Sequence, residues 1–513
     1  MHNVWWINSL LIVPLLGAVA VAATRRVPRA AFGIGVATAS LELLIAGVVT
    51  VLYSWHNTVS ASCGAKICTG FSLLTTEDFA HRWVLAPSFG LAYDVAIDGL
   101  SLFLVLLTAI VVLLALLGAR ESKNEAAFVG WLLILMTATM GSFVSSDLLE
   151  FFLFFELTLI PSYFLIAMWG GKERSKAALK FFIYTLFGSG FLFVGLIYLA
   201  FSYQHAHGGN LTFSYLVLQH AVISHSAAVW VFVAFAIAFG VKSPIFPLHT
   251  WSPLAYAEAP IAGSMVLSAL LAKLGTYGLL RYGVFLLPQA VHSLQPYLLT
   301  LAVIGILYGS ALAAMSKDMK RLVAYSSMAQ VGFIILGVMS GSSIAITGAV
   351  LLMFNHGVIT AGFFLLIGFI EKRRGTSEVT SLAGLQRPAP VLAALFTVVM
   401  LASIGLPGLS GFVSEYLVLI GTFSTHTWWA VVATLGVVLA ALYLLWAYQR
   451  IFHGRAEGEN AEIADLSHRE RWIIAPLIVL ILFIGVYPKP VLDRISPTVN
   501  HHVLILQQNT VTK

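Results

Sequence analysis

Long apolar stretches separated by short polar segments recur along the whole 513-residue chain. An α-helix of about twenty apolar residues is long enough to cross the hydrocarbon core of a bilayer. The pattern predicts fourteen such helices, near residues 5–22, 32–53, 97–118, 126–144, 147–167, 180–200, 228–250, 260–283, 297–315, 322–340, 344–369, 391–421, 428–450 and 472–488. The expected fold is therefore all-α, that of a polytopic integral membrane protein.

Composition and charge placement agree with this reading. The chain is 59% hydrophobic and only 10% charged, which is far too apolar for the surface of a soluble protein of this length. Most of the 28 Lys and Arg residues fall in one of the two alternating sets of loops. Since positive loops stay in the cytoplasm, we expect both termini on the outer face of the membrane. The net charge of +6 then reflects topology rather than a nucleic-acid partner.

Cysteine and histidine patterns bound the possible cofactors. Cys63 and Cys68, the only two cysteines, lie in a predicted outer loop and form either a disulfide or two free thiols. Two cysteines cannot supply the four thiolates of an iron–sulfur cluster. The four histidines of residues 202–225 have no accompanying carboxylate or cysteine, so they predict an amphipathic loop rather than a metal site. His501 and His502 are interpreted in the same way, and no metal is expected.

Four ionisable residues lie inside predicted spans, namely Glu156, Lys242, Lys273 and Glu415. A charged side chain at the centre of a membrane helix costs about 2.5 to 3.5 kcal/mol on insertion scales, so each needs a reason to be there. One reading is a set of static ion pairs that fix helix packing. The other is proton transfer, because a lysine in apolar surroundings can both hold and release a proton near neutral pH.

Two of the predicted helices are interrupted beside these charges. Gly240, Pro244 and Pro247 surround Lys242, and a second group of glycines and proline, residues 405–411, precedes Glu415. A broken helix frees backbone groups that need partners or water, and paired breaks in transporters mark the transport path.

The positions of the breaks suggest an inverted repeat, because each falls fourth in a block of five helices. The predicted segments are 1–120 (helices 1–3 and an outer loop), 121–283 (first repeat, helices 4–8), 284–455 (second repeat, helices 9–13) and 456–513 (helix 14 and tail).

Further polar residues lie within or beside the spans. His249 and His356 titrate nearest physiological pH, although a hydrogen-bonded core histidine explains His356 as well. Gln330 belongs to a polar stretch, residues 325–330, that would hold water or bond to a neighbouring helix. Glu42 has no break or lysine near it in sequence and is interpreted as a contact to another helix or subunit.

Five motifs together resemble the antiporter-like subunits of respiratory complex I, and among these the M-type subunits. The motifs are FELTLIPSYFLIAMWGG, VKSPIFPLHTWSPLAYAEAP, SALLAKLGTYGLLR, KDMKRLVAYSSMAQVGF and GLPGLSGFVSEYLVL. The resemblance to the M type depends on Glu415, because the L-type and N-type sister subunits usually carry lysine there.

The resemblance implies a proton-translocating membrane-arm subunit of NADH:quinone oxidoreductase, driven by redox chemistry in other subunits. Glu156 and Lys242 would form an ion-pair switch, Lys273 a central relay and Glu415 an exit-side carrier. His356 and His249 match polar positions of the family. The implied partners are L-type and N-type neighbours, the lipid bilayer, protons and channel water, and the chain itself would bind neither NADH nor any cofactor.

The chain departs from the family at two places. Gln330 stands where a histidine is common, and an amide cannot take up a proton at physiological pH. Leu254 and Tyr256 stand where aspartate and histidine are common, which suggests a modified access route from the inner side. The rival functions are a subunit of an Mrp-type cation/proton antiporter, a subunit of a membrane-bound hydrogenase, and a passive scaffold.

Overall fold

The computed structural model describes residues 4–56, 80–118, 124–221 and 223–511. Its first helices are α1 (Val4–Ala23), α2 (Pro28–His56), α3 (Leu102–Gly118), α4 (Glu125–Val144), α5 (Leu148–Trp169), α6 (Arg174–His207), α7 (His225–Lys242), α8 (Ser252–Glu258) and α9 (Ile261–Val284). The remaining helices are α10 (Pro288–Met315), α11 (Met319–Met339), α12 (Ser343–Arg374), α13 (Pro390–Ile404), α14 (Ser410–Thr425), α15 (Thr427–Phe452), α16 (His468–Val486) and α17 (Lys489–Val511). Cys63 and Cys68 lie outside the described residues, so their pairing stays open.

The helices confirm a polytopic membrane protein. Within the described residues, eleven are long and apolar enough to cross a membrane, or twelve if the bent pair α16 and α17 forms one span. Shorter apolar helices, α3 and α13, cover two more of the predicted segments. The count of fourteen spans therefore stays a prediction. The sequence pattern missed α17, which leaves α16 at an angle of 71°.

A small β-hairpin, also missed, lies beside the end of α4. Strands β1 (Ala80–Ala86) and β2 (Leu91–Ala96) are antiparallel, and Gly90 turns the chain between them with a φ of 67°. The hairpin is tied to the helices by a hydrogen bond from the Tyr93 hydroxyl to Asn8 of α1, 2.8 Å long. A bridge between Val95 and Ser145 continues the pairing to the end of α4.

The most enclosed helices are α9, α11 and α12. The apolar stretches of α9 and α12 are wholly buried inside the protein, whereas α1, α2, α6 and α15 expose most of theirs. Within α9, two π-helical turns, Leu267–Leu271 and Leu279–Val284, flank the α-helical segment Ala272–Gly278 that carries Lys273. Such wide turns free backbone carbonyls and are frequent at functional positions. Lys273 is therefore surrounded by protein rather than by lipid.

Candidate functional site

Lys242 ends α7 and is almost completely buried, with 2% of its surface exposed. Its Nζ donates to the Thr158 hydroxyl at 2.8 Å and to the Phe155 carbonyl at 3.4 Å, and lies 4.4 Å from the centre of the Phe155 ring. Glu156, on the same helix α5, attracts Lys242 electrostatically and interacts with Ser189. Between these two described residues there is no direct ion pair, so neutral groups bind the ammonium in this conformation.

The interruption of the helix after Lys242 is stabilised by two hydrogen bonds. The Trp251 indole donates to the Val241 carbonyl at 2.8 Å, and the Ser243 hydroxyl donates to the Ala272 carbonyl of α9 at 2.9 Å. A Cβ on Gly275 would lie 2.1 Å from the Ser243 Oγ, so only glycine permits this approach. The interrupted segment therefore packs directly against α9, the helix that carries Lys273.

Lys273 has no exposed surface and bridges α9 to α12. Its Nζ donates to the Ser268 carbonyl at 2.6 Å and lies 2.7 Å from Nδ1 of His356. The other ring nitrogen of His356, Nε2, is buried and has no hydrogen-bond partner among the described residues. The Ser268 hydroxyl lies 3.3 Å from that of Ser327 on α11. The predicted residues Lys273 and His356 are thus brought into direct contact.

Glu415, on α14, is 5% exposed and faces α11. Its Oε1 accepts a hydrogen bond of 2.8 Å from the Gln330 amide. Its Oε2 lies beside Gly405, where a Cβ would approach it to 2.5 Å and where φ is +82°. Asn355 ties α12 to the start of α14 by donating to the Ser410 carbonyl at 2.7 Å. The second break thus forms part of the carboxylate's pocket.

His249 lies in the first break, apart from the Lys273 contacts. Its ring stacks on Phe246, with centroids 5.8 Å apart, and meets Tyr308 of α10 edge-on at 5.5 Å. Its Nδ1 is buried without a hydrogen-bond partner among the described residues. Glu42 is fully buried on α2, and neither of its oxygens has a hydrogen-bond partner within the described part of the chain. The contact of Glu42 to another helix or subunit therefore stays a prediction.

His502 lies in the last helix, which the sequence pattern did not predict. His502 belongs to α17, is 5% exposed and stacks on Phe285 at the end of α9, with ring centroids 4.4 Å apart. Nearby, the buried Arg281 of α9 forms an ion pair with Asp98, which precedes α3. The described residues contain no group of three or more His, Cys, Asp or Glu side chains that could hold a metal ion.

An acidic cluster lies where α5 begins. The Asp147 carboxylate accepts hydrogen bonds from the amides of Leu149 and Glu150 and so caps α5. Burial raises the pKa of Asp147 to about 7, although these two hydrogen bonds lower it. Burial also raises the pKa of Asp94 on β2, whereas Arg82 on the facing strand lowers it. At least part of this cluster therefore binds protons near neutral pH.

Sequence reasoning missed Thr158 and Ser268, which accept from Lys242 and Lys273, and it missed Tyr443. Thr158 and Ser268 lie close in sequence to Glu156 and Lys273, which is a weak signal. Tyr443 lies on α15, far from every motif, and its hydroxyl donates to Ser326 at 2.8 Å.

Comparison with known proteins identifies the family of the chain. Residues 145–442 match the family model described as NADH:quinone oxidoreductase/Mrp antiporter, transmembrane. The chain is 34% identical to the NADH-quinone oxidoreductase subunit M of Mycobacterium tuberculosis, with 99% of this chain and 96% of that protein covered.

Solved structures show the same fold. A chain of respiratory complex I from Thermus thermophilus with bound NADH matches with a TM-score of 0.85 and 31% identity, covering 98% of this chain and 99% of that one. A chain of the Mrp complex from a Dietzia species matches with a TM-score of 0.80 but only 20% identity, and this shares the fold alone. The chain therefore belongs to the subunit M family of NADH-quinone oxidoreductase, the antiporter-like membrane subunits of respiratory complex I.

Proposed function

We propose that the chain translocates protons outward across the membrane through Glu156, Lys242, Lys273 and Glu415, driven by redox chemistry in other subunits of the complex. The observation that carries the proposal is the contact between Lys273 and His356. An ammonium and an imidazole 2.7 Å apart, fully enclosed by protein, can exchange a proton directly. Packing alone does not require two basic groups to face each other.

The imidazole of His356 allows the proton to be passed onward from Lys273. A proton that arrives at Nδ1 of His356 can be matched by one that leaves from Nε2, because the two ring nitrogens are separate sites. Nε2 has no protein partner among the described residues, so a water can receive the proton there. Asn355, which precedes His356 in sequence, donates a hydrogen bond to the start of α14, the helix that carries Glu415. Water would thus link His356 to Glu415.

Lys242 would act upstream as the switch. In the conformation described, Thr158 and Phe155 bind its ammonium, and Glu156 acts on it without a direct bond. A closer approach of Glu156 would favour the charged form of Lys242, and withdrawal would favour proton release. The interrupted segment beside Lys242 is hydrogen-bonded to α9 through Ser243. A movement of that segment would therefore displace the helix that carries Lys273.

The assembly follows from the same proposal. L-type and N-type neighbours would flank the chain in a bacterial plasma membrane, with both termini outside, and the redox chemistry would belong to other subunits. His249 would serve on the access side of Lys242, and Gln330 would orient Glu415. The chain itself would hold neither a metal nor a cofactor.

The test uses the assembled complex in vesicles, with NADH-driven quinone reduction and acidification of the lumen followed together. Lys273→Met and Glu415→Gln are expected to lower the number of protons moved per NADH oxidised while the complex stays intact. Tyr448→Phe, a change at a partly buried position away from these residues, is the matched control. Unchanged pumping in both variants would make the buried charges structural. Sodium-dependent exchange without NADH oxidation would instead favour an Mrp-type antiporter.

A further inference from the structure

Helix α11 separates two polar surfaces. Ser327 faces α9, where its hydroxyl lies 3.3 Å from that of Ser268. Ser326 and Gln330 are four residues apart and so share another face of the helix. On that face Ser326 accepts from Tyr443, and Gln330 donates to Glu415. Tyr443 and Glu415 are therefore held one helical turn apart along α11.

Tyr443 lies on the inner, buried face of α15. Much of α15 carries apolar side chains exposed at the protein surface, among them Leu435, Val438 and Leu442, whereas Tyr443 is 1% exposed. Small residues on the inner face let α15 approach closely, since a Cβ on Gly436 would lie 2.2 Å from a side-chain carbon of α10. A buried tyrosine hydroxyl must find a partner, and this one reaches across to α11.

The same face holds an unsatisfied acceptor. The Gln330 side chain is 5% exposed and its Oε1 has no hydrogen-bond partner among the described residues. Buried amide oxygens are normally bonded to protein or to ordered water. Side chains four residues apart on a helix have Cβ atoms about 5 to 6 Å apart, a separation that one water can bridge. The Tyr443 oxygen donates its hydrogen to Ser326 and keeps its lone pairs available for such a water.

We propose that Tyr443 is a positioning residue for Glu415, because its hydroxyl, anchored by Ser326, holds a water against Gln330 and so fixes the amide that binds the carboxyl. The proposal rests on the proposed function of Glu415 in proton transfer. It also explains how the relay operates with an amide at position 330. The amide need not take up a proton, because its task is to orient Glu415, and the hydroxyl pair keeps it in place.

The test compares Tyr443→Phe with Tyr448→Phe in the assembled complex. Both remove one hydroxyl from α15, but the Tyr448 hydroxyl accepts from Thr397 at 2.7 Å and not from α11. Tyr443→Phe is expected to lower NADH-driven proton transport about fivefold, the factor for losing one buried hydrogen bond. Ser326→Ala should reproduce the effect without altering the packing of the ring. Tyr448→Phe should stay near the parent rate.

An infrared measurement separates positioning from general damage. The carbonyl stretch of protonated Glu415, assigned by its absence in Glu415→Gln, should shift in Tyr443→Phe and in Ser326→Ala but not in Tyr448→Phe. If the band and the transport rate are the same in Ser326→Ala as in the parent, the proposal is overturned. If Glu415→Gln itself leaves transport unchanged, the proposed function fails, and the role of Tyr443 fails with it.

Discussion

Replacing Gly405 with alanine tests whether the position of the Glu415 carboxylate matters. Gly405 and Gly408 lie in the same break, with φ of +82° and +92°. A side chain in this left-handed region costs about 1 to 2 kcal/mol, so alanine should lower the free energy of unfolding equally at the two positions. Their surroundings differ. A Cβ at 405 would lie 2.5 Å from Oε2 of Glu415, whereas a Cβ at 408 would have no atom within 4 Å.

The size of the functional effect follows from that contact. The Glu415 oxygen must withdraw by about 0.9 Å, from 2.5 Å to the 3.4 Å of an ordinary contact. A misplacement of about 1 Å can slow an aligned transfer step by up to roughly 100-fold. Gly405→Ala should therefore reduce proton pumping strongly, and Gly408→Ala should affect stability alone.

The assay measures thermal unfolding of the solubilised complex and acidification of vesicles during NADH oxidation, for the two variants in parallel. The expected pattern is an equal loss of stability with a loss of pumping only in Gly405→Ala. Equal pumping in the two variants would refute the reasoning, because backbone strain alone would then explain the effect of both substitutions. A larger loss of stability at 405 alone would show that the oxygen cannot withdraw.

Three further changes test other parts of the fold. Asp147→Asn keeps the helix cap but removes a carboxyl whose pKa rises from 3.8 to about 7 on folding. Between these two pKa values the folded protein binds more protons than the unfolded chain, so the parent loses stability as pH rises from about 4 to about 7. The variant lacks this loss, and its free energy of unfolding above pH 7 should exceed that of the parent by at most about 4 kcal/mol. Thermal unfolding at pH 5 and pH 8 checks this, and an equal gain at the two values would contradict it. Asp98→Asn removes the counter-ion of a buried Arg281 and should lower the free energy of unfolding by about 3 to 5 kcal/mol. Adding Arg281→Met should recover most of that loss in thermal unfolding, because asparagine can still accept from the Leu100 and Ser101 amides. Gly275→Ala places a Cβ 2.1 Å from a serine oxygen of the first break, so overpacking of about 1 to 3 kcal/mol should reduce the yield of assembled complex, whereas Gly190→Ala, in open space, should not.

The sequence pointed to four ionisable residues of the interior because a membrane makes each charge conspicuous, but it missed the buried ion pair of Arg281 and Asp98. Lys242, Lys273 and Glu415 stand out in apolar runs, and glycines and prolines mark the breaks beside two of them. The same logic predicted an all-α membrane fold, which the structure confirms. These signals are local, since each depends on residues within one helix.

What the sequence did not reveal depends on neighbours in space. Ser268 carries no signal of its own, and its carbonyl becomes important only because a π-helical turn of α9 presents it to Lys273. Likewise, α17 is only weakly apolar in sequence and was missed, yet it buries His502 against α9. The hairpin escaped prediction because its two strands lack a run of alternating polarity.

The direct partners of Lys242 bear on how a switch at this position can operate. Thr158 lies two residues after Glu156, so the two side chains point to different sides of α5. Thr158 rather than Glu156 is the residue that binds the ammonium in this conformation. A neutral acceptor satisfies the ammonium's hydrogen bonding without adding a counter-charge, whereas a carboxylate does both. Exchange between the two acceptors therefore changes the stability of the proton on Lys242 while leaving the ammonium hydrogen-bonded in each state.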